Sequence, residues 1–305
     1  MGPEQENVTP PPPPAPAPRF GNAAGPRRVP LLCVHSANLA KVPYFQLGDI
    51  ASQIGYEGVD LTVMIGGHVD PRVTNVDLIR AFESIRGSGL EVPMISTNIT
   101  GPQDGTAFPV LYLTGRSQVP IFRMGYWPYG TNVPIQQRLV QARQDLLQLL
   151  PIAQRSSISA VIHNRAGGFI GQSIWDAQSI VSTVDPKWVG YCYDPAEATI
   201  EGGLGGWESG LRIALPRLRA LVLQDFYWAK SGDAWQVTKC ALGEGMVDWE
   251  KFFSIVAASG FTGPISIRLD YAPRDAIAAM TRDLEFTRNA VRRAWPGVTA
   301  QPAPR

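Results

Sequence analysis

The chain has 305 residues, of which 27 are Lys or Arg and 26 are Asp or Glu, so its formal net charge is +1. Balanced charge without a long basic run argues against a nucleic-acid partner, and no apolar run approaches the roughly 20 residues that cross a bilayer. Three cysteines without disulfide or metal-ligand spacing favour buried thiols in a reducing compartment. We therefore expect a soluble, cytoplasmic protein with no membrane partner.

The two ends of the chain differ in composition from the rest. Residues 1–29 contain a proline run, Pro10 to Pro14, and lack the apolar mass that a core requires, so we expect a disordered, proline-rich arm. Residues 296–305 predict a flexible tail for the same reason. Between them, residues 30–295 have a suitable length for one large domain.

Eight apolar runs divide residues 30–295 into repeating units, and each run ends in polar residues before a helical pattern begins. The runs lie at 31–34, 57–63, 93–97, 121–123, 160–162, 189–193, 221–223 and 265–267. Continuous apolar runs are typical of strands buried on both faces, and their alternation with helices indicates a parallel sheet. Eight such units predict a single-domain α/β fold, the (β/α)8 TIM barrel, with its chemistry at the C-terminal ends of the strands.

Helical periodicity fills most of the gaps between these strands. Apolar residues spaced three and four apart predict helices at 45–54, 75–88, 134–153, 174–183, 207–218, 248–259 and 273–294. Residues 101–118 are rich in Gly, Pro, Thr and Gln and predict no clean helix. We interpret residues 225–228, after the seventh run, as part of a loop.

Polar residues that directly follow the strands are the candidates for chemistry. All three histidines lie at or just beyond predicted strand ends: His35, His68 and His163. Carboxylates gather at the same ends: Asp60, Asp70, Asp194, Glu197, Asp225 and Asp270. Converging carboxylates repel one another unless a cation or a shared proton intervenes. The pattern therefore predicts either a divalent metal site or a general acid–base pair.

Cationic and aromatic residues accompany the carboxylates. Arg268 cannot bind a metal, so it would offset nearby carboxylates or hold an anionic or hydroxylated substrate. Aromatic rings beside carboxylates suit the faces of a sugar ring, and they serve core packing equally well. The predicted substrate-binding residues are His68, Arg123, Tyr126, Asn164, Arg165, Trp228 and Arg268.

Five segments carry a more specific pattern. They read GYEGVDLTV and GGHV within 55–69, YCYDP at 191–195, DFYW at 225–228, LGEGMVDW at 242–249 and GPIS at 263–266. In order and spacing they resemble the sugar phosphate isomerase/epimerase family of xylose isomerase-like TIM barrels. This resemblance implies a barrel from about residue 30 to residue 294, a divalent metal held by carboxylates and histidine, and proton transfer between neighbouring sugar carbons through an enediolate.

The chain departs from the family at the metal-site positions. After the fifth strand it reads His163-Asn164-Arg165, the strand-seven motif His-x-Lys-Asp is Val222-Leu223-Gln224-Asp225, and the strand-eight motif His-x-Glu is Arg268-Leu269-Asp270. Glu197 stands in place of the usual His. A metal would therefore be held by Asp194, Glu197, His163 and Asp270, a set of oxygens and one imidazole that suits Mn2+ or Mg2+ better than Zn2+.

Together these features predict an enzyme, an isomerase or epimerase of a sugar or sugar-like polyol. Asp194 or Glu197 would remove a proton beside a carbonyl, with His163 as partner acid and Asp225 as the fourth catalytic residue. Arg268 or a metal would stabilise the enediolate oxygen. The altered ligand positions leave an alternative open, a non-catalytic or ligand-binding barrel without the metal site. A small carbohydrate is the expected partner, and self-association into a homo-oligomer is left open.

Overall fold

The fold is a closed parallel barrel, as the eight-unit repeat predicts. A computed structural model describes residues 29–296, so nearly all of the expected arm (1–29) and tail (296–305) lie outside the described residues. Its strands are β1 Leu31–His35, β2 Gly58–Val63, β3 Glu91–Thr97, β4 Ile121–Arg123, β5 Ser159–His163, β6 Val189–Tyr193, β7 Leu218–Leu223, β8 Asp225–Ser231, β9 Ala234–Cys240 and β10 Pro264–Ile267. Neighbouring strands run parallel in the order β1-β10-β7-β6-β5-β4-β3-β2, and β1 also pairs with β2. The predicted (β/α)8 fold is confirmed.

Eight helices surround the barrel. They are α1 Tyr44–Ile54, α2 Thr74–Gly87, α3 Ala107–Arg116, α4 Ile135–Arg155, α5 Ile174–Val181, α6 Pro195–Ala214, α7 Trp249–Ala258 and α8 Ala276–Ala294. The third helix escaped prediction because Gly and Pro obscure a short apolar face, which is buried at positions 107, 110, 111 and 114. The sixth is broken at Gly203, where φ is 63°, and the predicted helix falls in its second segment; an additional first segment begins at Pro195, since Asp194 caps it and Pro195 suits its first turn.

Side chains fill the barrel interior in layers because residues along a strand alternate between its two faces. One apolar layer consists of Met94, Ile121, Val161, Cys192, Ala220 and Val222. Two residues further along the chain lie Ser96, Arg123 and His163, which are still on their strands, and Asp194 and Gln224, which directly follow β6 and β7; all five are buried. The apolar layer thus supports a polar layer at the C-terminal end of the barrel.

A β-hairpin follows β7 in place of the expected loop. Strands β8 and β9 pair antiparallel, with Phe226 opposite Lys239 and Trp228 opposite Val237. The turn between them contains Gly232, whose φ of 61° favours glycine. The hairpin therefore begins at the C-terminal end of the barrel, beside the polar layer.

Composition led to two expectations that bear on the described residues, one about the cysteines and one about membrane-spanning segments. Cys33 and Cys192 are buried, Cys240 is partly buried, and within residues 29–296 none of the three forms a disulfide. Within residues 29–296 no helix combines the length and the apolarity needed to cross a membrane.

The packing of α3 gives a matched test of the fold. A Cβ on Gly115, in the last turn of α3, would overlap the carbonyl oxygen of Ser156, whereas one on Gly87, in the last turn of α2, meets nothing within 4 Å. We expect Gly115→Ala to destabilise the protein by about 1–3 kcal/mol and Gly87→Ala to stabilise it by up to about 1 kcal/mol. Urea unfolding of both variants measures the difference. Equal stabilities would contradict the packing of α3 described above.

Candidate active site

The C-terminal end of the barrel brings several predicted residues into contact. His163 ends β5, Asp194 and Glu197 begin α6, and Gln224 follows β7. All four are buried, and Asp194 has no exposed surface while Glu197 retains 8%. The geometry of these four residues and of Lys239 defines the candidate active site.

His163 is held as a neutral proton donor. The Arg123 guanidinium donates to the Tyr126 hydroxyl at 2.8 Å, and that hydroxyl lies 2.7 Å from His163 Nδ1. A guanidinium can only donate, so the arrangement that uses every group directs the tyrosine hydrogen to Nδ1 and leaves the imidazole hydrogen on Nε2. Burial, reinforced by nearby Arg123, lowers the pKa of His163 well below its usual value. Among the residues that the structure describes, its Nε2 finds no hydrogen-bond partner.

Asp194 shapes the site around it. Its Oδ1 accepts the backbone N–H groups of Ala196 and Glu197 and so caps α6. Its own backbone exchanges two 2.8 Å hydrogen bonds with the Asn164 side chain, so the predicted substrate-binding residue Asn164 locks β5 to β6. Burial raises the pKa of Asp194 to about 6. Its Oδ2 lies 3.6 Å from His163 Nε2.

Gln224 joins the two carboxylates. Its side-chain nitrogen donates to Asp194 Oδ2 at 2.6 Å and to Glu197 Oε1 at 2.8 Å. The amide group therefore uses both hydrogens to hold the two carboxylates together. The second oxygen of Glu197 accepts the backbone N–H of Ala166 at 3.0 Å, which fixes the orientation of its side chain.

Lys239 is the cation of this cluster, and sequence reasoning missed it. Its Nζ donates to Glu197 Oε1 at 2.7 Å and lies 3.9 Å from Asp270 Oδ2. Asp270 also accepts from Arg268 at 2.9 Å. The available pattern was the alternation of β8 and β9 on either side of a Ser-Gly-Asp turn, which would have predicted the hairpin and placed Lys239 opposite Phe226.

The predicted metal ligands do not present a ligand set for a divalent cation. Asp194 and Glu197 both face the Gln224 amide, Glu197 also faces the Lys239 ammonium, and Asp270 faces two cations. Those N–H donors occupy the directions from which a metal would take lone pairs. Within residues 29–296 no group of three His, Cys, Asp or Glu side chains is placed to hold a metal ion. Manganese or magnesium binding stays a prediction that these contacts do not support.

Asp225 has a different arrangement from the other predicted catalytic residues. Its two oxygens accept from the backbone N–H groups of Phe226, Gly243, Gly245 and Val247 and from the Trp249 indole. Five donors occupy the carboxylate, which is fully buried. It therefore fastens the base of the hairpin to the segment before α7. A catalytic role for Asp225 stays a prediction.

The remaining substrate-binding predictions occupy the rim. Both ring nitrogens of His68 meet chain atoms, Thr62 Oγ1 at 3.2 Å and the Leu39 carbonyl at 3.1 Å. The Arg165 guanidinium stacks over the rings of Tyr126 and Phe169 at 4.8 and 5.0 Å from their centroids. Trp228 is 40% exposed on the hairpin. The substrate contacts predicted for these residues stay predictions.

Three further residues that the sequence singled out lie apart from the His163–Asp194–Glu197 cluster. Asp60 accepts the hydroxyls of Ser96 and Ser266 inside the barrel, and burial raises its pKa. His35 Nε2 lies 3.9 Å from Asp60, and burial lowers the pKa of the imidazole. Asp70 pairs with Arg72 at the surface and caps a short 3₁₀ turn.

Comparison with known proteins places this geometry in a family. Residues 115–290 match the xylose isomerase-like TIM barrel family. No curated protein matches the chain in sequence.

Solved structures share the fold at low sequence identity. A 3-keto-D-glucoside 4-epimerase from E. coli matches with a TM-score of 0.69 and 13% identity, over 85% of this chain and 99% of that one. A D-psicose 3-epimerase from Clostridium cellulolyticum H10, solved with D-tagatose, matches with a TM-score of 0.68 and 12% identity, over 86% and 99%. A xylose isomerase-like barrel from Mycobacterium smegmatis, in complex with magnesium, matches with a TM-score of 0.67 and 13% identity, over 88% and 98%.

The contacts of Asp225 predict a structural cost for its removal. Asp225→Ala leaves four backbone N–H groups and the Trp249 indole without their acceptor, so we expect a loss of at least about 3 kcal/mol of unfolding free energy. Asp233→Ala, at the exposed hairpin turn, is the matched control and should change stability little. Urea unfolding and hydrogen exchange of residues 225–247 measure the effect. Unchanged exchange in Asp225→Ala would contradict the fastening role.

Proposed function

We propose that this chain, which belongs to the family of xylose isomerase-like TIM barrels, is an isomerase or epimerase of a sugar or sugar-like polyol. The observation that carries the proposal is the contact of a neutral histidine donor with a carboxylate pair and an ammonium group at the C-terminal end of the barrel. These are the groups that proton transfer beside a carbonyl requires. The sugar epimerases among the similar structures support the substrate class.

Glu197 is the proposed base. It retains 8% exposure, whereas Asp194 has none, so Glu197 is the carboxylate that an incoming substrate reaches first. It would take the proton from the carbon next to the substrate carbonyl and return it to that carbon or to its neighbour. Return to the neighbouring carbon, with the hydroxyl hydrogen passing between the two substrate oxygens, gives the isomer. An epimer forms instead when a second group delivers a proton to the opposite face of the original carbon and Glu197 later releases its own.

His163 and Asp194 form the second half of the proposed chemistry. The Nε2–H of His163 makes no hydrogen bond within residues 29–296 and would donate one to the substrate oxygen as negative charge develops there. Tyr126 keeps that imidazole in place through Nδ1, and Asp194, whose Oδ2 lies 3.6 Å from Nε2, holds the Gln224 amide. No step of this scheme passes through a metal, because the carboxylates already face N–H donors.

A barrel that binds a ligand without chemistry is the alternative. The burial of Asp194 and His163, and the complete hydrogen bonding of Glu197, favour it, since substrate can reach these groups only if Lys239 or the rim moves. Both functions predict a carbohydrate ligand. They differ in whether a carbon-bound hydrogen exchanges with solvent.

Hydrogen exchange in deuterated water therefore tests the proposal. We expect the wild-type protein to exchange the hydrogen beside the carbonyl of at least one ketose or aldose, which proton NMR detects. Glu197→Gln keeps the shape of the side chain and removes the base, so we expect a loss of about 100-fold or more in rate. Glu201→Gln makes the same chemical change one turn further along α6, on an exposed side chain, and should leave the rate unchanged.

Two outcomes would contradict this function. Full exchange activity in Glu197→Gln would remove Glu197 from the mechanism. A wild-type protein that binds a sugar in a calorimeter and exchanges none of its hydrogens would favour the ligand-binding barrel.

A further inference from the structure

One lysine contacts two carboxylates of the site. Lys239 lies on β9, and its side chain is only 17% exposed. Its ammonium contacts Glu197 at 2.7 Å and approaches Asp270 at 3.9 Å, so it bridges carboxylates from the sixth and the eighth βα units of the barrel. Both carboxylates belong to the set from which a metal site would be built.

The hairpin determines where this ammonium lies. In the antiparallel register Lys239 is directly opposite Phe226, which is fully buried. Trp228 meets the same ring edge-on at 6.3 Å. Asp225, with its five hydrogen bonds, fastens the start of β8. The hairpin thus fixes the backbone of Lys239, and Glu197 holds its ammonium.

We propose that the Lys239 ammonium is the resident cation of this site and takes the place of a divalent metal. It neutralises the carboxylate cluster in the resting protein and stabilises the negative oxygen of the enediolate during proton transfer. This inference rests on the proposed function for its catalytic half. Its electrostatic half, an ammonium where a metal would bind, concerns the protein alone.

The hydrogen-bond donors around the carboxylates are consistent with a fixed ammonium at this position. Gln224 points its amide hydrogens at both carboxylates, and Arg268 donates to Asp270. A divalent ion would need those same oxygen lone pairs and would also be repelled by the lysine and arginine charges. Replacement of a metal by Lys239 therefore accounts for the contacts of Gln224 and Arg268 as well as for those of Lys239 itself.

The ammonium has the hydrogens that its catalytic role requires. An ammonium carries three N–H donors, and Lys239 uses one in its hydrogen bond to Glu197. A second can meet a substrate oxygen beside that carboxylate. The base and the cation would then act on adjacent atoms of the substrate, the C–H hydrogen and the carbonyl oxygen. The lysine keeps its proton throughout: in the isomerisation Glu197 takes and returns the carbon-bound proton, and the hydroxyl hydrogen moves between the two substrate oxygens, so the step balances.

Metal titration tests the electrostatic half without any substrate. Chelator-treated wild-type protein, Lys239→Ala and Lys230→Ala are titrated with Mn2+ in a calorimeter; Lys230 is the control lysine on the same hairpin. We expect no binding at millimolar Mn2+ for wild type and Lys230→Ala. For Lys239→Ala we expect measurable binding, with a Kd at least tenfold below the highest Mn2+ concentration tested, because Glu197 and Asp270 lose their shared cation. One-to-one binding to wild type, or no gain in Lys239→Ala, would overturn the proposal.

Exchange rates test the catalytic half separately. We expect the wild-type rate to survive chelator treatment, Lys239→Met to lose about 100-fold or more, and Lys239→Arg, which keeps the charge, to recover part of that loss. An active enzyme that stops on chelation would overturn the inference and leave the proposed function standing. A wild-type protein that neither exchanges hydrogen nor binds Mn2+ would overturn the proposed function but not the assignment of Lys239 as the resident cation.

Discussion

The constraint on which this site depends is the burial of two carboxylates at the end of a barrel. A buried carboxylate whose partner is lost costs about 3–5 kcal/mol, and Asp194 and Glu197 lie side by side. The chain satisfies them with a shared glutamine amide, helix and loop N–H groups and one ammonium. The identity of those donors, more than the barrel itself, decides which chemistry the site can perform.

Compensation by N–H donors has consequences for function. Donors from Gln224 and Lys239 fix the direction of each carboxylate, which organises a base in advance of substrate binding. They also take the oxygen lone pairs that a metal would require. The same barrel can thus support proton transfer with a protein cation, and the hairpin β8–β9 is the element that supplies it.

The barrel could be predicted from sequence because each barrel strand is buried on both faces and reads as a continuous apolar run. The candidate residues His163, Asp194 and Glu197 were also predictable, since the ends of parallel strands converge. The contacts that these three residues make were not predictable. Whether a carboxylate faces a metal or an ammonium depends on Lys239, which reaches Glu197 only through the hairpin, and residues 225–228 were interpreted as a loop. The Gly- and Pro-rich composition of residues 101–118 similarly prevented the prediction of α3, whose short apolar face is recognisable only once the barrel that buries it is known.

Diffraction from crystals soaked in a manganese salt would test the central claim, the presence of an ammonium where a metal would bind, most directly. The account predicts no anomalous peak within ligand distance of Asp194 or Glu197, with Lys239 Nζ in hydrogen-bond contact with Glu197 Oε1. A manganese peak between these carboxylates, with Lys239 displaced from them, would contradict it.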